Sequence, residues 1–171
     1  MNEYKDAVVS GMQEYLDGLK RALDGLTPAE LRWHPTLGSN HILWIVWHMA
    51  RVEDDWINER VYGGNGLWLR HGWREKLGFE TEGSGFGDTP DDVRAMPDVS
   101  IDAVMGYYKA VRGAALKVID GLTEEDFEKE VPHPRLKGLN LRWVLGHVLV
   151  EEAQHLGQIV YVRGMIRGFN K

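Results

Sequence analysis

Two stretches of this chain align without a gap over a whole helical stripe, and that duplication limits the architectures open to it. The first is apolar at Tyr4, Val8, Met12, Tyr15, Leu19, Ala22 and Leu26, the alternating three- and four-residue steps of one face of an amphipathic helix. The second repeats the stripe at Ile101, Val104, Tyr108, Val111, Ala115, Val118 and Leu122. YKDAVVSGMQEYLDGLKRALDGLT lies over SIDAVMGYYKAVRGAALKVIDGLT, sharing DAV near the start and DGLT at the end. This reads as an internal repeat; a chance match between two amphipathic stripes is the other account.

The residues after each copy extend the match. Thr27, Pro28 and Glu30 make a capping box with proline at the first helical position, and Thr123 to Asp126 is an analogous acidic start. A longer helix then closes each half, capped by Ser39 or Asn40 in the first and Asn140 in the second. Both carry Trp, three residues, then His: Trp44 with His48, and Trp143 with His147. Four amphipathic helices bury their stripes most simply as a bundle. The expected fold is therefore all-α, a four-helix bundle of two similar helix pairs in a single domain over residues 1–171. Linkers longer than a tight hairpin leave crossover and up-and-down orders equally open. Between the halves runs a Gly- and aromatic-rich connection, with a short helix expected from about Pro90 to Ala95 and Phe79 to Gly87 read as a flexible lid or a long surface loop.

Hydrophobic residues make up 43% and charged residues 27% of the chain, the composition of an ordinary globular protein able to bury a core unaided. A net charge of -6 gives no basic footprint for nucleic acid. No apolar run is long enough to span a bilayer and the N-terminal stretch is amphipathic, so no membrane partner and a cytoplasmic location are expected. Cysteine is absent, which removes disulfides, thiolate ligands and any catalytic protein thiol. The seven Trp are a high count, and some are expected to line a pocket.

The chemistry-bearing residues concentrate on the two longer helices. His147, Glu151 and His155 recur every fourth residue on one face of the last helix, otherwise lined by Val144, Val148, Leu149 and Ile159. Buried imidazoles and a carboxylate need partners, and a divalent ion is an economical one. Helical spacing alone allows His147 with Glu151, or Glu151 with His155, as the ligand pair, with the third ligand from another helix. His48 is the better third ligand, because His41 sits in the first helical turn where solvent exposure is expected. Glu53, Asp54 and Asp55 read as a solvated helix face. Glu152 has the same reading, or a contact to a ligand imidazole, and Gln158 reads as packing or a hydrogen bond near the site. Arg163 and Arg167 suit either an anionic substrate or the helix dipole.

WHMARVEDDW on the second helix and EEAQHLGQIVYVRG on the fourth resemble the DinB-like superfamily of metalloenzymes, over essentially the whole chain; the GFGDTPDDV stretch is similar to one branch of it. The resemblance implies a metal on three side chains, here His48, Glu151 and His155, and puts His147 outside the ligand set. Many relatives carry His at the middle position. Glu151 instead matches the branch that includes mycothiol-dependent maleylpyruvate isomerase, where two His and one Glu hold zinc.

Two imidazoles and a carboxylate suit Zn²⁺ with open coordination positions, and also Ni²⁺ or Fe²⁺. The resemblance implies a thiol-dependent S-transferase or isomerase acting on a small-molecule substrate, with a low-molecular-weight thiol as cosubstrate, and a homodimer. The alternatives are hydrolysis by metal-bound hydroxide with Glu152 or Asp55 as base, and a stress-response protein that binds metal without turnover, its ion saturated by a fourth ligand such as His147.

Overall fold

The computed structural model of the protein describes residues 3–168. Its helices are α1 (Glu3–Leu23), α2 (Pro28–Leu31), α3 (Ile42–Glu53), α4 (Leu67–Arg70), α5 (Trp73–Lys76), α6 (Pro90–Arg94), α7 (Ile101–Gly121) and α8 (Leu141–Arg167). A π-helical stretch, Asp54–Val61, continues α3, and a 3₁₀ turn, Glu124–Glu128, comes after α7. Among the described residues the only β-pairing is one isolated bridge, Glu130 with Asn140. The all-α expectation holds.

Local chemistry starts the elements where the sequence places them. Thr27 with Glu30 and Thr89 with Asp92 form complete capping boxes behind Pro28 and Pro90, and Asn140 caps α8 through the Trp143 N–H. The second long helix departs from expectation. Neither Ser39 nor Asn40 caps it; His41 does, its Nδ1 accepting the Trp44 N–H at 3.0 Å. His41 is buried rather than solvent-exposed, its ring edge-on to His34 at 4.9 Å. An imidazole can replace Ser or Asn as a cap when its acceptor nitrogen lies against the first turn.

The long helices pack crosswise. α1 lies against α8, α7 against α3, and α3 against α8, so each half's first helix packs on the other half's second. The connection order is thus a crossover one, and the long segments 24–41 and 122–140 carry the chain across the bundle. Exchanging the halves preserves this pattern of neighbours, as an internal repeat requires. It also brings the two second helices, α3 and α8, face to face.

Two apolar clusters form the core. One holds Trp47, Trp68, Tyr107 and Ile159, and the other Met12, Phe127, Val144 and Val148. At their boundary on α3, α7 and α8 sit Glu53, Arg112 and Glu152, all buried. Arg112 gives Nη2 to Glu53 at 2.8 Å, pairs with Glu152, and donates to the Met12 carbonyl of α1 at 2.5 Å. Burial beside the Glu53 carboxylate pushes the Glu152 acid up to about 9. Burial thus favours the neutral acid at Glu152, whose Oε2 no donor reaches.

The acidic run after His48 is not a solvated face. Glu53 and Asp54 are fully buried, and only Asp55, paired with Arg60 at 2.9 Å, reaches solvent. The widened π turn lets Asp54 point inward, where it accepts from the Tyr107 hydroxyl at 2.8 Å and from the Leu67 and Trp68 N–H groups at 2.9 and 2.8 Å. Those amides open α4, so the carboxylate caps the helix that begins the central connection.

Candidate metal centre

α3 and α8 bring His48, Glu151 and His155 together. One donor atom from each lies within 4.8 Å of the others, the only such trio of His, Asp or Glu donors among the described residues. His155 Nε2 is 3.2 Å from Glu151 Oε2, and the His48 and His155 rings meet edge-on at 4.8 Å. Helical spacing sets the α8 pair, since one turn separates Glu151 from His155.

Each imidazole has its other nitrogen engaged. His48 Nδ1 lies 2.6 Å from the Ser84 carbonyl, an acceptor only, so Nδ1 carries the hydrogen and Nε2 is left with its lone pair. His155 Nδ1 faces the Gln158 side-chain oxygen at 3.0 Å, which leaves Nε2 as its donor atom as well. Metal-binding histidines are oriented this way by oxygen acceptors behind them. The hydrogen-bond reading of Gln158 holds. Trp44 stacks flat on His48 at 4.9 Å and fixes the ring plane.

Charge obeys the same pattern. Burial pushes the His48 imidazole down to about 4, so it is neutral at physiological pH. The hydrogen bond from His155 holds the Glu151 carboxyl below its usual range. Burial opposes charge on His155, but Glu151 and Gln158 outweigh it and raise the imidazole. A proton shared between Glu151 and His155 occupies the place that a divalent cation would take. The side chains of Glu151 and His155 remain 23% and 13% exposed, so the donors meet solvent on one side.

His147 lies beside the trio. Its Nε2 is 3.5 Å from Glu151 Oε1, the oxygen turned away from His155, and its ring stacks on Trp143 at 4.5 Å. His147 is the repeat counterpart of His48, each stacked on the Trp one turn earlier. Glu152 does not touch an imidazole, since the Arg112 network holds it.

The stretch 79–87 is strapped over α3. Arg51 donates to the Glu82 and Gly83 carbonyls at 3.1 and 3.3 Å, and Trp68 Nε1 to Thr81 at 3.1 Å. Gly85 has φ +89, and a Cβ there would stand 2.7 Å from Trp44 and 3.1 Å from His48 Nδ1. Only glycine fits this approach. Trp44 also lines a cleft of about 610 Å³ with Phe79, Asp88 and Met96, which includes none of the three donors. Arg163 and Arg167 serve the fold: they bind the Ala22 and Asp24 carbonyls and Glu30, tying the end of α8 to the α1–α2 turn.

The family described as the DinB superfamily matches residues 13–159 of the chain. A solved structure, "Crystal structure of the conserved protein of locus from Enterococcus faecalis", superimposes with a TM-score of 0.85 over 95% of this chain and 96% of that one at 20% identity. That likeness shows the fold. No curated protein matches the sequence.

Proposed function

The chain belongs to the DinB superfamily, and from that premise we propose that it is a metal-dependent enzyme in which His48, Glu151 and His155 hold one divalent ion, zinc in first place with nickel or iron as alternatives. The observation that carries this reading is the convergence of the three donors within 4.8 Å, with both imidazoles held by acceptors at their far nitrogens and the cluster reaching solvent. Three protein ligands leave coordination positions free, the arrangement of a catalytic rather than a structural site.

The reaction proposed is thiol-dependent S-transfer or isomerisation. A divalent ion bound there lowers the pKa of a coordinated thiol and supplies it as the thiolate. The chain's own part is to present neutral His48, to offset one unit of cationic charge with Glu151, and to wall the donors with Trp44 and the strap. The Glu middle ligand, shared with the maleylpyruvate isomerase branch, supports a thiol cosubstrate. Hydrolysis has less support: Glu152 is locked to Arg112 and Asp55 to Arg60, which leaves neither candidate base free.

Elemental analysis of protein purified without a metal-affinity tag is expected to find one equivalent of divalent metal per chain. Turnover of electrophilic substrates is expected only with added thiol. A folded protein that cannot take up zinc overturns the proposal, and thiol-independent turnover overturns its thiol part.

A homodimer fits the outer face of α8, where Trp143, Val150, Tyr161 and Met165 lie exposed along one stripe. Light scattering at micromolar concentration tests it, and a monomer mass contradicts it.

A further inference from the structure

We propose that Arg135 is a specificity-determining residue of this site and that the substrate or cosubstrate carries a carboxylate in addition to the group that meets the metal; the inference rests on the metal reading above. It starts from charge. In a chain with a surplus of acidic groups, several arginines have carboxylate partners: Arg51 has Asp54, Arg60 has Asp55, Arg74 has Glu75 and Glu82, and Arg142 has Glu128. Arg135 is exposed and meets no carboxylate among the described residues. Its guanidinium stands 5.5 Å over the ring of Phe86.

That perch is built from both sides, and both sides lead back to the donors. Phe86 adjoins Gly85, which presses on Trp44 and His48. From the other direction, the Arg135 N–H is bound by His133 Nδ1 at 3.1 Å, and His133 also takes the Leu136 N–H at 2.9 Å. The His133 ring stacks on Trp56 at 5.1 Å, and Trp56 meets His147 edge-on at 5.5 Å. His147 in turn reaches Glu151. A closed circuit of contacts thus runs from His48 through the strap to Arg135 and back through His133, Trp56 and His147 to Glu151.

The two loops of that circuit meet at the Arg135 guanidinium, which pairs with no carboxylate among the described residues. An arginine fork takes a carboxylate through two parallel N–H donors. A phosphate would draw on several cations or a row of free amides, and a lone guanidinium offers neither. The His133 Nε2–H has no protein partner among the described residues and adds a neutral donor on the same loop.

The test uses the full chain loaded with cobalt(II), whose visible spectrum reports anions entering the metal shell, titrated with acetate, succinate, glutarate and adipate. At least one dicarboxylate is expected to bind tenfold or more tightly than acetate. Arg135→Gln should reduce that dicarboxylate to the acetate level, and Arg135→Lys should restore part of the gain. Cobalt affinity and acetate binding should be the same in all three proteins. A dicarboxylate advantage that is absent, or that survives Arg135→Gln, overturns this inference alone. Failure of the wild-type chain to take up cobalt overturns the metal reading and this inference with it.

Discussion

Glu151 is the residue at which helical geometry and family likeness part, because its two oxygens face two different imidazoles. Oε2 lies toward His155 and Oε1 toward His147. Only the first pairing includes His48 in a compact trio. Glu151→Ala is expected to abolish metal binding or weaken it greatly, His147→Ala to spare most of it, and Glu151→His to retain metal with altered activity, since a neutral imidazole leaves the ion more electrophilic. Metal titration of these variants and of His155→Ala checks the assignment; loss in His147→Ala with retention in His155→Ala would move the site one turn. The four-residue period fixed the face of α8 but left His147 and His155 both open beside Glu151, and the family resemblance, with His48 already the better third ligand, chose His155. The burial of Glu53 and Asp54 was not legible. Their partners Arg112 and Tyr107 lie on another helix, and a run of three acids reads as solvated when its partners are unseen.

At the scale of the element, starts were readable wherever a side chain caps its own helix, as Thr27, Thr89 and Asn140 do. The π turn and the His41 cap were not, because both depend on what packs around them. His41 has a measurable consequence. Burial pushes its imidazole down to about 4, so it stays neutral in the fold while the unfolded chain takes up a proton below about 6.5. The unfolded state then binds more protons, and stability falls as pH drops from about 6.5 toward about 4, by at most roughly 1.4 kcal/mol per unit for this group. His48 adds a similar slope in metal-free protein. Comparison with His41→Asn isolates the cap, since asparagine caps without titrating. Urea midpoints measured from pH 7 to 4 should fall less steeply in the variant; parallel curves would show that His41 titrates normally in the fold.

For the whole molecule, the repeat was legible as two matched stripes, but the crossed pairing of the halves was not, since linker length permits either order. That pairing decides what an ion held by the three donors would contribute to the fold. The two apolar clusters and the Arg112 layer join α1, α3, α7 and α8 without the three donors, whereas the donors link α3 to α8 alone. The fold should therefore stand without the ion and gain from it by mass action. Free metal at a thousand times its dissociation constant adds about 4 kcal/mol to the stability of a one-site protein. In a domain of this size each kcal/mol moves the melting temperature by about 2–4 °C, which puts the expected rise near 10 °C. Chelation and then far-ultraviolet circular dichroism should find the helical signal intact at 25 °C, and adding back zinc should raise the melting temperature while leaving the urea m-value unchanged. Loss of helix on chelation would make the ion a structural staple and remove the argument for an open, catalytic site.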